Sequence, residues 1–177
     1  WSVVLNGRLP ERGEFVEYFF LNGGYGARAT KDGPAVLSFP TNVANVPTEV
    51  LEHSMPILVH EKSLRADSGG DGMFRGGLGQ RVSFEWRGLD SVNCSLLSEK
   101  TQTRAHGVCG GGDGAPGAIQ ITPARVIAPK GLTTLSPGDR LTLDLPGGGG
   151  YGDPSRRSIS AHAHDIREGY VTNGETT

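Results

Sequence analysis

Several signatures that would place a chain quickly are missing here. No stretch approaches the roughly 18 consecutive apolar residues of a membrane-crossing helix. Neither sign of charge is in excess: 17 Lys and Arg stand against 19 Asp and Glu, for a formal net charge of -2 over 177 residues. That balance argues against nucleic acid and anionic lipid as partners. Cysteine is scarce. Cys94 and Cys109 match no zinc spacing and make no disulfide framework, so they read as ordinary thiols of a reducing cytoplasm. The apolar run Ser2 to Leu5 is too short for a signal peptide, and Arg8 and Glu11 follow it. The chain opens on Trp1 with no methionine, which favours a piece of a larger protein.

What the chain has in plenty is glycine. Its 28 glycines are about twice the usual share of roughly 7%. They follow no collagen period, and apolar segments separate them. This composition predicts a mainly β fold with many tight turns and bulges. A Gly-rich antiparallel sandwich or open barrel is expected, with one short internal helix and a C-terminal helix. No linker divides it, so residues 1–177 read as one domain.

Glu14 to Leu21 is apolar and aromatic on both faces and reads as a buried strand. Residues 22–45 read as a long loop. Val46 to Glu52 reads as a short helix, with Asn45 where a cap could lie, Pro47 in the first turn and Pro56 as the stop. A strand is expected over Ile57 to Leu64. Arg65 to Gln80 carries six glycines and reads as a structured loop with several positive-φ positions. Val82, Phe84 and Trp86 alternate with polar residues, as do Val92, Cys94 and Leu96; a turn at Arg87 to Asp90 makes the two an expected hairpin. Short strands follow at Ile119 with Ile121, Val126 with Ile127, and Leu141 with Leu143 and Leu145. Ser158 to Glu168 reads as a helix with an apolar stripe of Ile159, Ala163 and Ile166, and Gly169 at its C′ position.

No residue set announces chemistry by itself. His53, His60, His106, His162 and His164 are scattered. The last two would share a face on a strand but diverge on a helix, and helical spacing suits them better. Asp67 and Ser68 are expected turn residues. His106 near Cys109 suggests a base and a thiol, but sequence neighbours on a loop rarely hold that geometry. Gly76 to Gly79 and Gly147 to Gly150 could aim N–H groups at an anion, yet neither shows a phosphate-loop pattern. Arg28, Arg65, Arg75 and Arg104 flank the glycine segments. They could meet a carboxylate substrate or pair with acids across a subunit contact.

Four longer motifs carry more. They are Gly23-Gly24-Tyr25-Gly26-Ala27-Arg28, the run Thr41 to Glu52 (TNVANVPTEVLE), the run Arg65 to Gln80 (RADSGGDGMFRGGLGQ), and Pro146 to Pro154 (PGGGGYGDP). In this order and at these separations, the chain resembles the C-terminal region of hydantoinase B, 5-oxoprolinase and acetone carboxylase α-type subunits. The resemblance implies a part of the B-type subunit of an ATP-dependent cyclic amide hydrolase. A partner A-type part would bind ATP with Mg and phosphorylate the substrate, and the B-type part would complete ring opening. It also implies a divalent metal in the N-terminal part of the B-type subunit, with no cofactor or metal in this segment. The implied partners are the A-type part, the rest of the B-type subunit and a small cyclic amide, in a cytoplasmic oligomer. Alone, the segment would be inactive. The alternatives are a carboxylase subunit for acetone or an aromatic ketone, and a non-catalytic assembly module. Within this frame Asn42, Asn45, Arg65, Asp67 and Arg75 are the candidates for substrate or subunit contact, because polar residues and glycine concentrate there in an otherwise strand-forming chain.

Overall fold

The computed structural model describes residues 1–10, 12–39 and 43–172. Eight strands form two antiparallel sheets. The first, in the order β2-β1-β5-β7, contains β1 (Ser2–Leu9), β2 (Gly13–Phe20), β5 (Val92–Leu97) and β7 (Lys130–Leu135). The second, in the order β3-β4-β8-β6, contains β3 (Ile57–Leu64), β4 (Gln80–Trp86), β8 (Arg140–Asp144) and β6 (Ala118–Thr122). Helices α1 (Thr48–Ser54) and α2 (Ile159–Arg167), with a short 3-10 turn at Pro154–Arg156, complete the elements among the described residues. The sheets pack face to face. Val3, Leu5, Cys94, Leu96 and Leu135 from the first meet Val82, Phe84, Trp86, Leu141 and Leu143 from the second in one buried cluster. Phe15 stacks on Trp86 and Phe19 on Phe84 across the gap, at 6.2 and 6.0 Å between ring centres. The fold is therefore a sandwich. No helix among the described residues is long and apolar enough to cross a membrane.

Alternation placed β3, β4 and β5 well, but their pairing differs from expectation. β4 and β5 form no hairpin: β4 pairs with β3 and β8, while β5 pairs with β1 and β7. The connection arches from one sheet to the other. Trp86 Nε1 donates to Asp90 O at 2.7 Å, and the indole lies over Gly88, where a Cβ would come 2.4 Å from the ring. The true hairpin is β1 with β2, in register from Ser2↔Phe20 to Leu9↔Gly13. β2 is not buried on both faces; it is an edge strand whose Val16, Tyr18 and Phe20 stay exposed. Val126 and Ile127 form no strand, and β7 follows them instead. α1 begins two residues later than expected, with Pro47 and not Asn45 at its cap and no side-chain cap bond. α2 keeps its expected ends: the Ser158 hydroxyl accepts from Ala161 N, and Gly169 has φ 70°. Its expected apolar stripe faces solvent, and the buried residue is Asp165.

The glycine runs bring the largest correction. None of the six glycines of Arg65 to Gln80 has positive φ; only Asp67 in that stretch does, at 56°. The runs are extended segments packed side by side. Residues 146–151 form the centre, and their main-chain bonds rotate among three neighbours. Pro146 O and Gly149 O accept from Gly24 N and Ala27 N. Gly147 N and Gly150 N donate to Ala115 O and Gly112 O. Gly148 N and Tyr151 N donate to Gly77 O and Phe74 O. Partners recur every third residue. This is the period of a left-handed, three-residue-per-turn extended helix with neighbours on every side. Such a helix leaves no free face for a side chain. A Cβ on Gly147 would sit 1.7 Å from Ser68 O, and one on Gly148 would sit 2.1 Å from Tyr25 O. All four glycines from 147 to 150 are buried.

Candidate functional site

The Arg65 to Gln80 segment enters this bundle and turns most of its polar groups inward. The Ser68 side chain donates to Arg65 O at 2.5 Å and accepts from Gly79 N at 2.9 Å. Ser68 is fully buried and so belongs to the scaffold; a nucleophile would need access. Arg65 sends Nη1 to Pro116 O at 2.7 Å and Leu145 O at 3.3 Å. It thereby ties the bundle to the end of the second sheet.

Arg75 and Asp67 point the other way, toward the C-terminal segment. Arg75 is buried, with Nη1 donating to Gly76 O at 2.7 Å and its guanidinium 5.2 Å from the centre of the Tyr170 ring. Its Nε lies 3.4 Å from Asp165 Oδ2 without completing a hydrogen bond. Arg157 holds the same Asp165 oxygen at 2.6 Å and clasps Asp32 with two bonds of 2.8 and 2.9 Å. Asp32 also accepts from Arg75 N at 2.7 Å. Burial pushes the Asp32 carboxyl up. The Arg157 and Arg75 hydrogen bonds, with both guanidinium charges, outweigh burial and hold it below its usual value. Asp67 accepts from Thr172 N at 2.9 Å and from the Thr172 hydroxyl, and its own N–H donates to Tyr170 O. Two arginines and two aspartates thus fasten α2 to the bundle with balanced charge.

The four expected residues that are described do not converge. Arg75 and Asp67 meet the C-terminal segment, Arg65 binds main-chain oxygens elsewhere, and Asn45 is exposed beside the open edge of the sandwich core. Asn42 lies outside the described residues. The cluster's other members, Asp32, Arg157, Asp165 and Tyr170, were not singled out. Asp32 and Arg157 are 125 positions apart, and no local pattern links them.

The remaining groups are accounted for separately. His106 Nδ1 faces Asp113 at 3.2 Å, in an exposed position. Cys109, with φ 54°, lies beside the Tyr151 hydroxyl, and that contact raises the phenol's pKa. His162 and His164 lie on α2, and His164 Nδ1 is 2.8 Å from Arg167 Nη2. Among the described residues no group of three or more His, Cys, Asp or Glu could hold a metal ion. The described residues therefore do not fit a divalent metal. Nor do the glycine runs fit a phosphate. Gly76 N, Gly77 N, Gly79 N, Gly147 N, Gly148 N and Gly150 N all donate to protein oxygens. For these six groups the anion-binding reading fails on that ground.

Comparison with known proteins follows the same lines. Residues 1–154 match the family model described as hydantoinase B/oxoprolinase. Caprolactamase subunit beta of Pseudomonas jessenii is 36% identical over 137 residues, which is 70% of this chain and 22% of that protein. The 5-oxoprolinase of Saccharomyces cerevisiae is 38% identical over 109 residues, 59% of this chain and 8% of that one. The crystal structure of ATP-dependent caprolactamase from Pseudomonas jessenii superposes with a TM-score of 0.82 at 28% identity, covering 96% of this chain and 32% of that one. A nucleotide-free acetone carboxylase shares the fold, with a TM-score of 0.79 at 21% identity over 96% of this chain and 28% of that one. The chain spans about a fifth or less of the curated relatives it matches.

Proposed function

The chain belongs to the hydantoinase B/oxoprolinase family, and on that premise we propose that it serves in the B-type component of an ATP-dependent enzyme that opens cyclic amides. The observation that carries the reading is the 36% identity to caprolactamase subunit beta across 70% of this chain. A ring amide is resonance-stabilised. ATP supplies a phosphoryl group to its oxygen and leaves as ADP; water then adds at the carbon, the C–N bond breaks to leave an acyl phosphate, and a second water hydrolyses that to carboxylate and free phosphate. A partner A-type part performs the phosphorylation, and ring opening takes place on the B-type component in a cytoplasmic oligomer.

This chain's contribution is a rigid platform. The N–H groups of Gly76, Gly77, Gly147, Gly148 and Gly150 are committed to main-chain oxygens, which supports a reading in which other parts of the assembly hold the phosphates and the metal. Asn42, Asn45, Arg65, Asp67 and Arg75 remain the proposed contact set toward substrate or partner. Asn45 offers the cleaner test because it is exposed, whereas Arg75 acts through Tyr170 and Asp165.

The test is an assay of the assembled enzyme on 5-oxoproline, hydantoin and caprolactam, with and without ATP. Ring-opened product and ADP are expected together. Turnover without ATP, or turnover by this chain alone, would overturn the proposal.

A further inference from the structure

The outer face of the first sheet is an apolar surface that the described residues leave uncovered. Its side chains lie in register. Tyr18, Val4, Ser95 and Leu132 form one row across β2, β1, β5 and β7. Phe20, Ser2, Leu97 and Lys130 form the next. Val16 continues the patch along β2. Exposure is 70% for Val16, 69% for Leu132, 55% for Leu97, 50% for Phe20 and 47% for Tyr18. Tyr18 and Phe20 contact each other at 4.6 Å between ring centres. Neither helix covers them: α1 packs on β3 of the other sheet, and α2 is bound to the glycine bundle. A flat row of this kind has no concavity for a small molecule. Contiguous exposed apolar faces of this sort mark protein contacts.

We infer that this face packs against the rest of a hydantoinase B-type polypeptide. Size argues for that occupant over a free second copy. Four strands about 4.8 Å apart, with rows spanning about 17 Å, offer roughly 300 Å². A stable association of free partners needs about 800 Å² on each side. A contact this small holds only when a linked or larger interface raises the local concentration of the partner. Family membership supplies such a partner, since 22% of caprolactamase subunit beta is matched and most of that polypeptide lies outside the match. The occupant must present an apolar surface to the Tyr18–Leu132 rows and hydrogen-bonding groups to Asn6, Asn93 and Thr134 at their flank. The inference rests on family membership and is read by accessibility instead of turnover. Its failure and that of the proposed reaction are therefore separable.

The experiment places a thiol on the face. Leu132→Cys and, independently, Leu97→Cys are made in a Cys109→Ser background, with Val126→Cys, at a fully exposed position, as the reference. Maleimide labelling is timed in the 177-residue chain and in the longer B-type polypeptide that carries it. Leu132→Cys and Leu97→Cys should label as fast as Val126→Cys in the short chain, and about tenfold more slowly or less in the long one. Equal rates in both contexts overturn the inference. So does protection in the short chain with a mass that rises to a dimer, which would assign the face to a second copy.

Discussion

The sandwich and the glycine bundle are held together by opposite means. In the sandwich, main-chain bonds run within each sheet and side chains join the sheets, so large apolar residues such as Trp86 and Leu141 do the joining. In the bundle, main-chain bonds run to neighbours in three directions and do the joining themselves. Side chains there are excluded. The two regions therefore fail differently. The sandwich is damaged by removing atoms, the bundle by adding them.

The sharpest way to break the comparison is one added methyl. Gly148→Ala puts a Cβ within 2.1 Å of Tyr25 O and 2.3 Å of Tyr25 C, with no side chain able to yield. We expect a loss of more than about 5 kcal/mol, read as insoluble protein or absence of a cooperative unfolding transition. A soluble variant with an unchanged melting temperature would refute the packing argument. Next comes Asp165→Ala, which leaves Arg157 and Arg75 without their shared buried carboxylate. Removing one partner of a buried pair costs about 3–5 kcal/mol. The loss should appear as faster amide exchange in α2, with the sandwich core unaffected. Leu141→Ala deletes side-chain atoms from the fully buried core and should cost about 3 kcal/mol in denaturant unfolding, with a soluble product.

Acid sharpens the same comparison. Asp32 has its pKa depressed in the folded chain, below the usual aspartate range. Its stabilising contribution is complete above the unfolded value and is lost as pH falls through the folded one. The α2 amides should therefore lose protection below about pH 4, before the apolar core opens. Simultaneous loss in both regions would show that the salt-bridge cluster is not a separate fastening. The smallest effect belongs to Gly138→Ala. This glycine has φ 86° and no heavy atom within 4 Å of an added Cβ. Only left-handed strain applies, about 1 kcal/mol, seen as a few degrees in melting temperature.

How much of this was legible varies by region. Val82, Phe84 and Trp86 announced their strand because one wet face and one dry face impose a period of two. The C′ residue of α2, Gly169, was legible because capping is settled within a few residues. β1 was missed although Val3 and Leu5 point inward and Ser2 and Asn6 do not; the glycine and arginine that follow shorten the visible pattern. β7 was missed because it is an edge strand with a single buried residue, Leu135. Of the expected site residues, Arg75 was a contact candidate from its glycine-rich surroundings, but its partner Asp165 lies 90 positions away in sequence and carries no local signal.

By itself the sequence determined the period-two strands, the C′ glycine of α2, the β class and the family, since each is written in residues close together or in motifs of fixed order. The tertiary structure alone decided which sheet each strand joins, and that the glycine runs are a packed core of backbone and not a string of turns. It also decided that Arg75, Arg157, Asp32 and Asp165 meet. The reason is that hydrogen-bond partners of an extended backbone, and the partners of buried charges, are chosen by proximity in space. The residues that record those choices are distant in the chain.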